Sequence, residues 1–240
     1  MDRFPEEYEN ILYFMTVTLP SLENKALLMF TDEKTISLYH MASEIPVEQH
    51  PLQPFLPENG KVLFLGSFPP QKKRWCMDFF YPNFTNDMWR IMGHIFYGDR
   101  LHFVDTAAKK YRKDEIVEFL KDKGIGLYDT ACAVRRLEDN ASDKFLEVVM
   151  PTDIPALLEK MPLCHAIVTT GQKATDTICE KYGVKVPSMG CSTQFDLNGR
   201  QMTLYRLPST SRAYPLALEK KAEAYGRMFG ELKICLYLQR

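Results

Sequence analysis

An apolar run, Val62-Leu63-Phe64-Leu65, that stops at Gly66 constrains the fold of this chain more than any other feature. Consecutive apolar residues without polar alternation describe a buried strand. The rigid turn Ser67-Phe68-Pro69-Pro70 follows directly, and prolines cannot extend a central strand. Such a strand delivers its loop to the carboxyl edge of a sheet, where ligands of open α/β folds sit. The loop carries Lys72, Lys73 and Arg74 beside Trp75, then the aromatic cluster Phe79-Phe80-Tyr81. Rings next to Lys and Arg suit a site that holds a flat base and a phosphate together.

Beyond this loop, strand and helix patterns alternate. Strands are expected at 61–66, 125–130, 164–169 and 202–207. The third of these is apolar or β-branched almost throughout, as a strand covered on both faces should be. Helices are expected at 86–97, 113–122, 153–160, 172–181 and 215–236. In the first, Met88, Ile91, Met92, Ile95 and Phe96 recur at helical spacing. Asp196-Leu197-Asn198-Gly199 reads as a hairpin turn feeding the last strand. The alternation predicts a three-layer α/β/α sandwich with a central, mainly parallel four-stranded sheet.

Residues 1–44 stand apart as an N-terminal appendage. They pattern as a short helix (6–16) and two β-like runs, either packed on the domain, loosely attached, or upstream of a natural start at Met41. Residues 45–60 contain Pro46, Pro51, Pro54 and Pro57 and read as an extended linker. The domain proper is expected over 61–240. Thirty basic residues face 31 acidic ones, for a net charge of −1. That balance argues against a protein coated in basic surface, while a local basic loop can still grip phosphates. The six cysteines are scattered with no CxxC pair, so neither a metal site nor a secreted disulfide framework is indicated. No apolar run reaches transmembrane length, and no signal peptide pattern opens the chain, so a cytoplasmic location is expected.

If the strands are parallel, three segments meet at the carboxyl edge. They are 66–81, the run Asp129-Thr130-Ala131-Cys132-Ala133-Val134-Arg135-Arg136, and the run Leu207-Pro208-Ser209-Thr210-Ser211-Arg212. Each also has a plain structural reading. The prolines can simply stop a strand, Asp129 can cap a turn, and the hydroxyls can cap the last helix.

These motifs, in this order, resemble the uracil-DNA glycosylase superfamily, most closely its mismatch-specific (G:T/U) branch. The residues that carry the likeness are Gly66-Ser67-Phe68-Pro69-Pro70, Phe79-Phe80-Tyr81-Pro82, Asn86-Asp87-Met88-Trp89-Arg90, Gly171-Gln172-Lys173-Ala174 and Pro208-Ser209-Thr210-Ser211-Arg212. The match spans about residues 60–230. It implies a DNA glycosylase that flips a damaged or mismatched base, uracil or a relative, and hydrolyses its N-glycosidic bond without a metal or organic cofactor. Gly66, Ser67, Phe68, Phe79, Tyr81 and Asn86 would form the base pocket, with Phe79 stacking on the base. Lys72, Lys73, Arg74, Ser209, Thr210, Ser211 and Arg212 would hold DNA. A monomer acting on DNA, with no membrane partner, is implied.

The departures define the chemistry. Phe68 stands where the family usually has Asn, Asp or Glu to position the attacking water, and a phenyl ring cannot do so. Asp78 is the nearest acidic candidate for that task, and Asn83 a polar one. Asp129 stands where some branches carry a base-reading Asn. An ionised carboxylate only accepts hydrogen bonds, so Asp129 alters base choice, mimics the Asn if buried and protonated, or serves as the catalytic carboxylate. Leu207 replaces a His that some branches use to support the departing base. None of the five histidines falls in the three segments, so each reads as surface or core. Two other functions fit the same residues: a catalytically inactive nucleic-acid-binding module, and a nucleotide or nucleoside hydrolase.

Overall fold

The computed structural model describes residues 45–138 and 145–234. The elements run β1 (Val47–Gln49), β2 (Val62–Gly66), α1 (Met88–Tyr97), β3 (Val104–Asp105), β4 (Lys110–Tyr111), α2 (Lys113–Lys123), β5 (Ile125–Asp129), β6 (Ala131–Arg136) and β7 (Leu146–Pro151). They continue with α3 (Ile154–Glu159), β8 (Ala166–Thr170), α4 (Gln172–Tyr182), β9 (Ser192–Leu197), β10 (Arg200–Leu207) and α5 (Leu218–Glu231). The main sheet has five strands in the order β5-β2-β8-β10-β9. Its first four are mutually parallel, and β9 closes the edge antiparallel to β10.

Every residue of β2, β5 and β8 is buried, which requires helices on both faces. Phe64 sends its ring towards Tyr225 and Phe229 of α5, at 6.3 and 5.8 Å between centroids. Phe229 meets Phe96 of α1, which in turn meets Phe119 of α2. The neighbours of Phe64 point the opposite way. Leu65 sits beside Thr169 of β8, whose hydroxyl bonds Thr175 of α4 at 2.8 Å. Leu63 sits beside Gly126 of β5, and Met161, just after α3, covers that glycine. Helices α1, α2 and α5 therefore cover one face, and α3 and α4 the other, as a three-layer sandwich demands.

Local sequence sets the helix ends. The Asn86 Oδ1 accepts the Met88 amide at the start of α1, and Gly98 ends it in the left-handed conformation at φ 68°. Asp153 caps α3 through the Ala156 amide.

The four expected strands are the four parallel ones, but the sheet has a fifth. The β9 sequence Ser192-Thr193-Gln194-Phe195-Asp196-Leu197 is a half-exposed edge strand with few apolar residues, so its pattern is faint. The run 129–136 is not a loop. Only Thr130 separates β5 from β6, and β6 joins β1 and β7 in a small antiparallel sheet. The expected linker is paired at 47–49 and at Phe55 and ends in a turn at Pro57–Gly60, so it is not free. β1 lies along β6, and Phe55 exchanges both backbone hydrogen bonds with Leu127 at the open edge of β5. The prolines rule out helix there, yet an edge can be paired through the residues between them. The expected appendage falls on residues outside those described.

Candidate active site

Parallel strands that end level bring their last residues together. Gly66 lies beside Asp129 in the ladder, Leu65 beside Thr169, and Thr170 beside Leu207. Above this row opens a cavity lined by Gly66–Pro70, Phe80–Asn83, Asn86, Asp129, Thr170 and Ser209–Ser211. Segments far apart in sequence thus share one cleft.

Among the lining residues Asp129 is the one carboxylate. A Cβ on Gly66 would lie 2.3 Å from Asp129 Oδ1, so only glycine lets the carboxylate cross that strand end. The Asp129 carbonyl accepts the Thr152 hydroxyl at 2.7 Å, which fixes the backbone behind it. The other carboxylate oxygen, Oδ2, is 2.8 Å from His50 Nε2. The His50 side chain is 2 % exposed and that of Asp129 10 %. On the far side of the ring, Nδ1 lies 2.8 Å from the Leu52 carbonyl oxygen and 3.2 Å from the Leu52 amide. The Tyr128, Phe68 and Phe80 rings surround the imidazole, with centroids 4.5, 5.3 and 6.2 Å away.

His50 arrives from the segment expected to be a linker. β1 carries it to the carboxyl edge, and its amide donates to the Cys132 carbonyl. Glu48 and Arg136 clamp that strand with two hydrogen bonds of 3.0 Å each, and Arg136 also donates to the Pro69 carbonyl at 3.1 Å. The clamp ties the His50 strand to the Pro69 loop. Sequence reasoning missed His50 because the partner lies 79 residues away. The only local signal was a lone His just before Pro51.

Tyr81 walls the cleft. Its φ is +49°, rare for a bulky residue, and its hydroxyl sits 3.2 Å from Thr170 Oγ1. Burial, and then the Asp129 charge, push the phenol well above its ordinary range, so it stays neutral.

Other expected residues fall elsewhere. Asp78 is outside the cleft. Its carboxylate is 72 % exposed and accepts from Lys72 Nζ at 2.7 Å, which holds it below the usual carboxylate range. The Asp78 side chain has turned to the nearby Lys72 rather than to the sheet edge. Phe79 is also outside. It packs in the core against Phe55, Phe80 and Trp89, and its neighbour Phe80 lines the cleft instead. The motif alone could not say which of two adjacent rings turns inward. Asn83 lines the cleft, but its Oδ1 braces the turn through the Thr85 amide and hydroxyl. Phe68 lines the cleft with its ring in a second apolar cluster with Ala131, Val134 and Leu146. Lys72, Lys73 and Arg74 form an exposed single turn of 3-10 helix. Lys72 Nζ lies 3.9 Å above the Trp75 ring, whose Nε1 donates to the Pro70 carbonyl.

The Ser209–Arg212 loop is held from behind. The Asp87 amide donates to the Thr210 carbonyl at 2.8 Å. The Asp87 carboxylate accepts from Arg212 Nε at 3.1 Å and from the fully buried Lys221 Nζ at 3.0 Å. Lys221 also donates to the Ser211 carbonyl. Ser209 Oγ accepts the Ser211 amide, and Ser211 Oγ the Ala213 amide. Among the described residues, no group of three or more His, Cys, Asp or Glu is placed to hold a metal.

The domain is thus a parallel α/β/α sandwich with an aromatic-lined cleft at its carboxyl edge, a buried carboxylate in that cleft and a braced hydroxyl loop at its rim. No protein-family model matches the chain. A hypoxanthine DNA glycosylase of Methanosarcina acetivorans is 33 % identical over 119 residues, covering 50 % of this chain and 68 % of that protein. A solution NMR structure from the same organism, described as a uracil DNA glycosylase, superposes with a TM-score of 0.52. It is 23 % identical and covers 78 % of this chain and 99 % of its own, a likeness of fold. The chain belongs to the uracil-DNA glycosylase superfamily, enzymes of base excision repair that hydrolyse N-glycosidic bonds. No helix among the described residues is long and apolar enough to cross a membrane.

Proposed function

We propose that this glycosylase removes a deaminated base from DNA, hypoxanthine first, and that Asp129 is the carboxylate its chemistry uses. The observation that carries the reading is the lining of the cleft. Among the residues lining it, Asp129 is the one carboxylate, whereas Asp78 is tied to Lys72 on the surface. Asp129 thus fills the task left open by Phe68. Hypoxanthine comes first because the relative with the sequence match is named for it.

The base must leave the stack before its glycosidic carbon can be reached. Phe80 offers the ring surface assigned by resemblance to Phe79, and Tyr81 bounds the pocket. As the C1′–N bond breaks, its electron pair goes to the base and the sugar gains oxocarbenium character. The Asp129 charge stabilises that cation and accepts a proton from water as the water oxygen bonds to C1′. The base leaves as an anion and takes a proton from solvent. Lys72, Lys73, Arg74 and Arg212 meet phosphates, and the Ser209–Ser211 loop enters the gap left by the flipped nucleotide. We read the substrate as a duplex and the enzyme as a cytoplasmic monomer.

Duplexes carrying single hypoxanthine, xanthine, uracil or thymine opposite guanine, scored for alkali-labile sites, test this. Hypoxanthine should be excised fastest, and Asp129→Asn should slow it by about 100-fold or more. An unchanged rate in that variant would remove Asp129 from the mechanism. Binding that weakens with salt but yields no abasic site on any duplex would mark an inactive binding module.

A further inference from the structure

We propose that His50 is the positioning residue of the active site: it fixes Asp129 Oδ2 and turns Oδ1 into the cleft. This rests on the reading of Asp129 as the working carboxylate. A carboxylate 10 % exposed among Phe80, Tyr81 and Tyr128 loses most of its hydration. A buried acceptor of this kind needs a hydrogen-bond donor. His50 supplies the donor at 2.8 Å on Oδ2. Because a carboxylate only accepts, Nε2 carries the hydrogen. The opposite nitrogen meets Leu52, whose carbonyl accepts if Nδ1 is protonated and whose amide donates if it is not. One backbone residue therefore satisfies both the neutral and the charged ring.

The other ionisable groups around the pair do not take this role. Tyr81, and Tyr128 on β5, have phenols raised well above their ordinary range by burial first, with the Asp129 charge acting in the same direction. They stay neutral. Cys132 on β6 has its sulfur beside Tyr128 and Thr152 hydroxyls. Glu48 and Arg136 answer each other. His50 touches neither base nor sugar in this scheme. It acts through Oδ2, while Oδ1 over Gly66 is left for the substrate.

His50→Leu should lower the single-turnover excision rate by about 100-fold while binding of a hypoxanthine duplex stays within about twofold, because a displaced reacting group loses rate rather than affinity. His50→Gln, whose amide can still donate to Oδ2, should regain most of that rate. Equal losses in both variants at unchanged melting temperature would overturn the proposal, since a purely structural His50 gives that result. So would a native rate in His50→Leu. Asp129→Asn separates the two readings: if it retains native activity, the carboxylate reading itself fails, whatever His50 does. If it is inactive while His50→Leu keeps the native rate, only the His50 proposal fails.

Discussion

At the scale of single residues, the cleft depends on atoms that are absent as much as on those present. Gly66 has no side chain, and Asp129 Oδ1 occupies the space a methyl would take. Gly66→Ala should therefore displace the carboxylate while leaving a buried strand intact. A shift of about 1 Å in a reacting group costs on the order of 100-fold in rate, so excision should fall by that much with little change in melting temperature. Equal excision by the Ala variant would show that Asp129 Oδ1 is not near the reacting atoms. Phe79 and Phe80 divide in the same way. Both rings are buried in the core, Phe80 the more deeply, but Phe80 also lines the cleft, so Phe79→Ala should act on stability alone and Phe80→Ala on both stability and excision.

Between elements, two clamps decide where the site can form. The Glu48–Arg136 pair locks β1 onto β6 and the Pro69 loop, and so delivers His50. The Asp87–Lys221–Arg212 group locks the amino end of α1 to α5 and to the Ser209–Arg212 loop. Lys221 is 0 % exposed, so removing its charge strands a buried carboxylate with only the half-exposed Arg212 as partner. Lys221→Met should cost about 3 kcal/mol in urea unfolding, at the low end for a broken buried pair because Arg212 remains. A loss below about 0.5 kcal/mol would mean that Arg212 alone satisfies Asp87.

For the molecule as a whole, a net charge of −1 limits how strongly DNA can be gripped. The cations near the cleft are few, and Lys72 is partly answered by Asp78. Neutralising roughly three to four phosphates predicts a log–log salt slope of about −3 for binding to undamaged duplex. A slope steeper than about −6 would require a much larger basic footprint than the cleft rim provides.

The continuous apolar runs of β2 and β8 and the periodic stripe of α1 needed only local chemistry to be read, because burial on both faces, or on one helical face, leaves a repeat in the chain itself. The same holds for Gly66, Pro69 and the Pro208-Ser209 turn, whose backbone demands are local. Where His50, Phe79, Phe80 and Asp78 lie relative to the cleft was decided by tertiary structure. Asp78 turns to Lys72, six positions away, but His50 depends on a distant group: Asp129 lies 79 positions from it, and Asp87 likewise lies 134 from Lys221. A hydrogen bond across such a separation forms only after the sheet has closed, so it leaves no spacing in the sequence by which to recognise it.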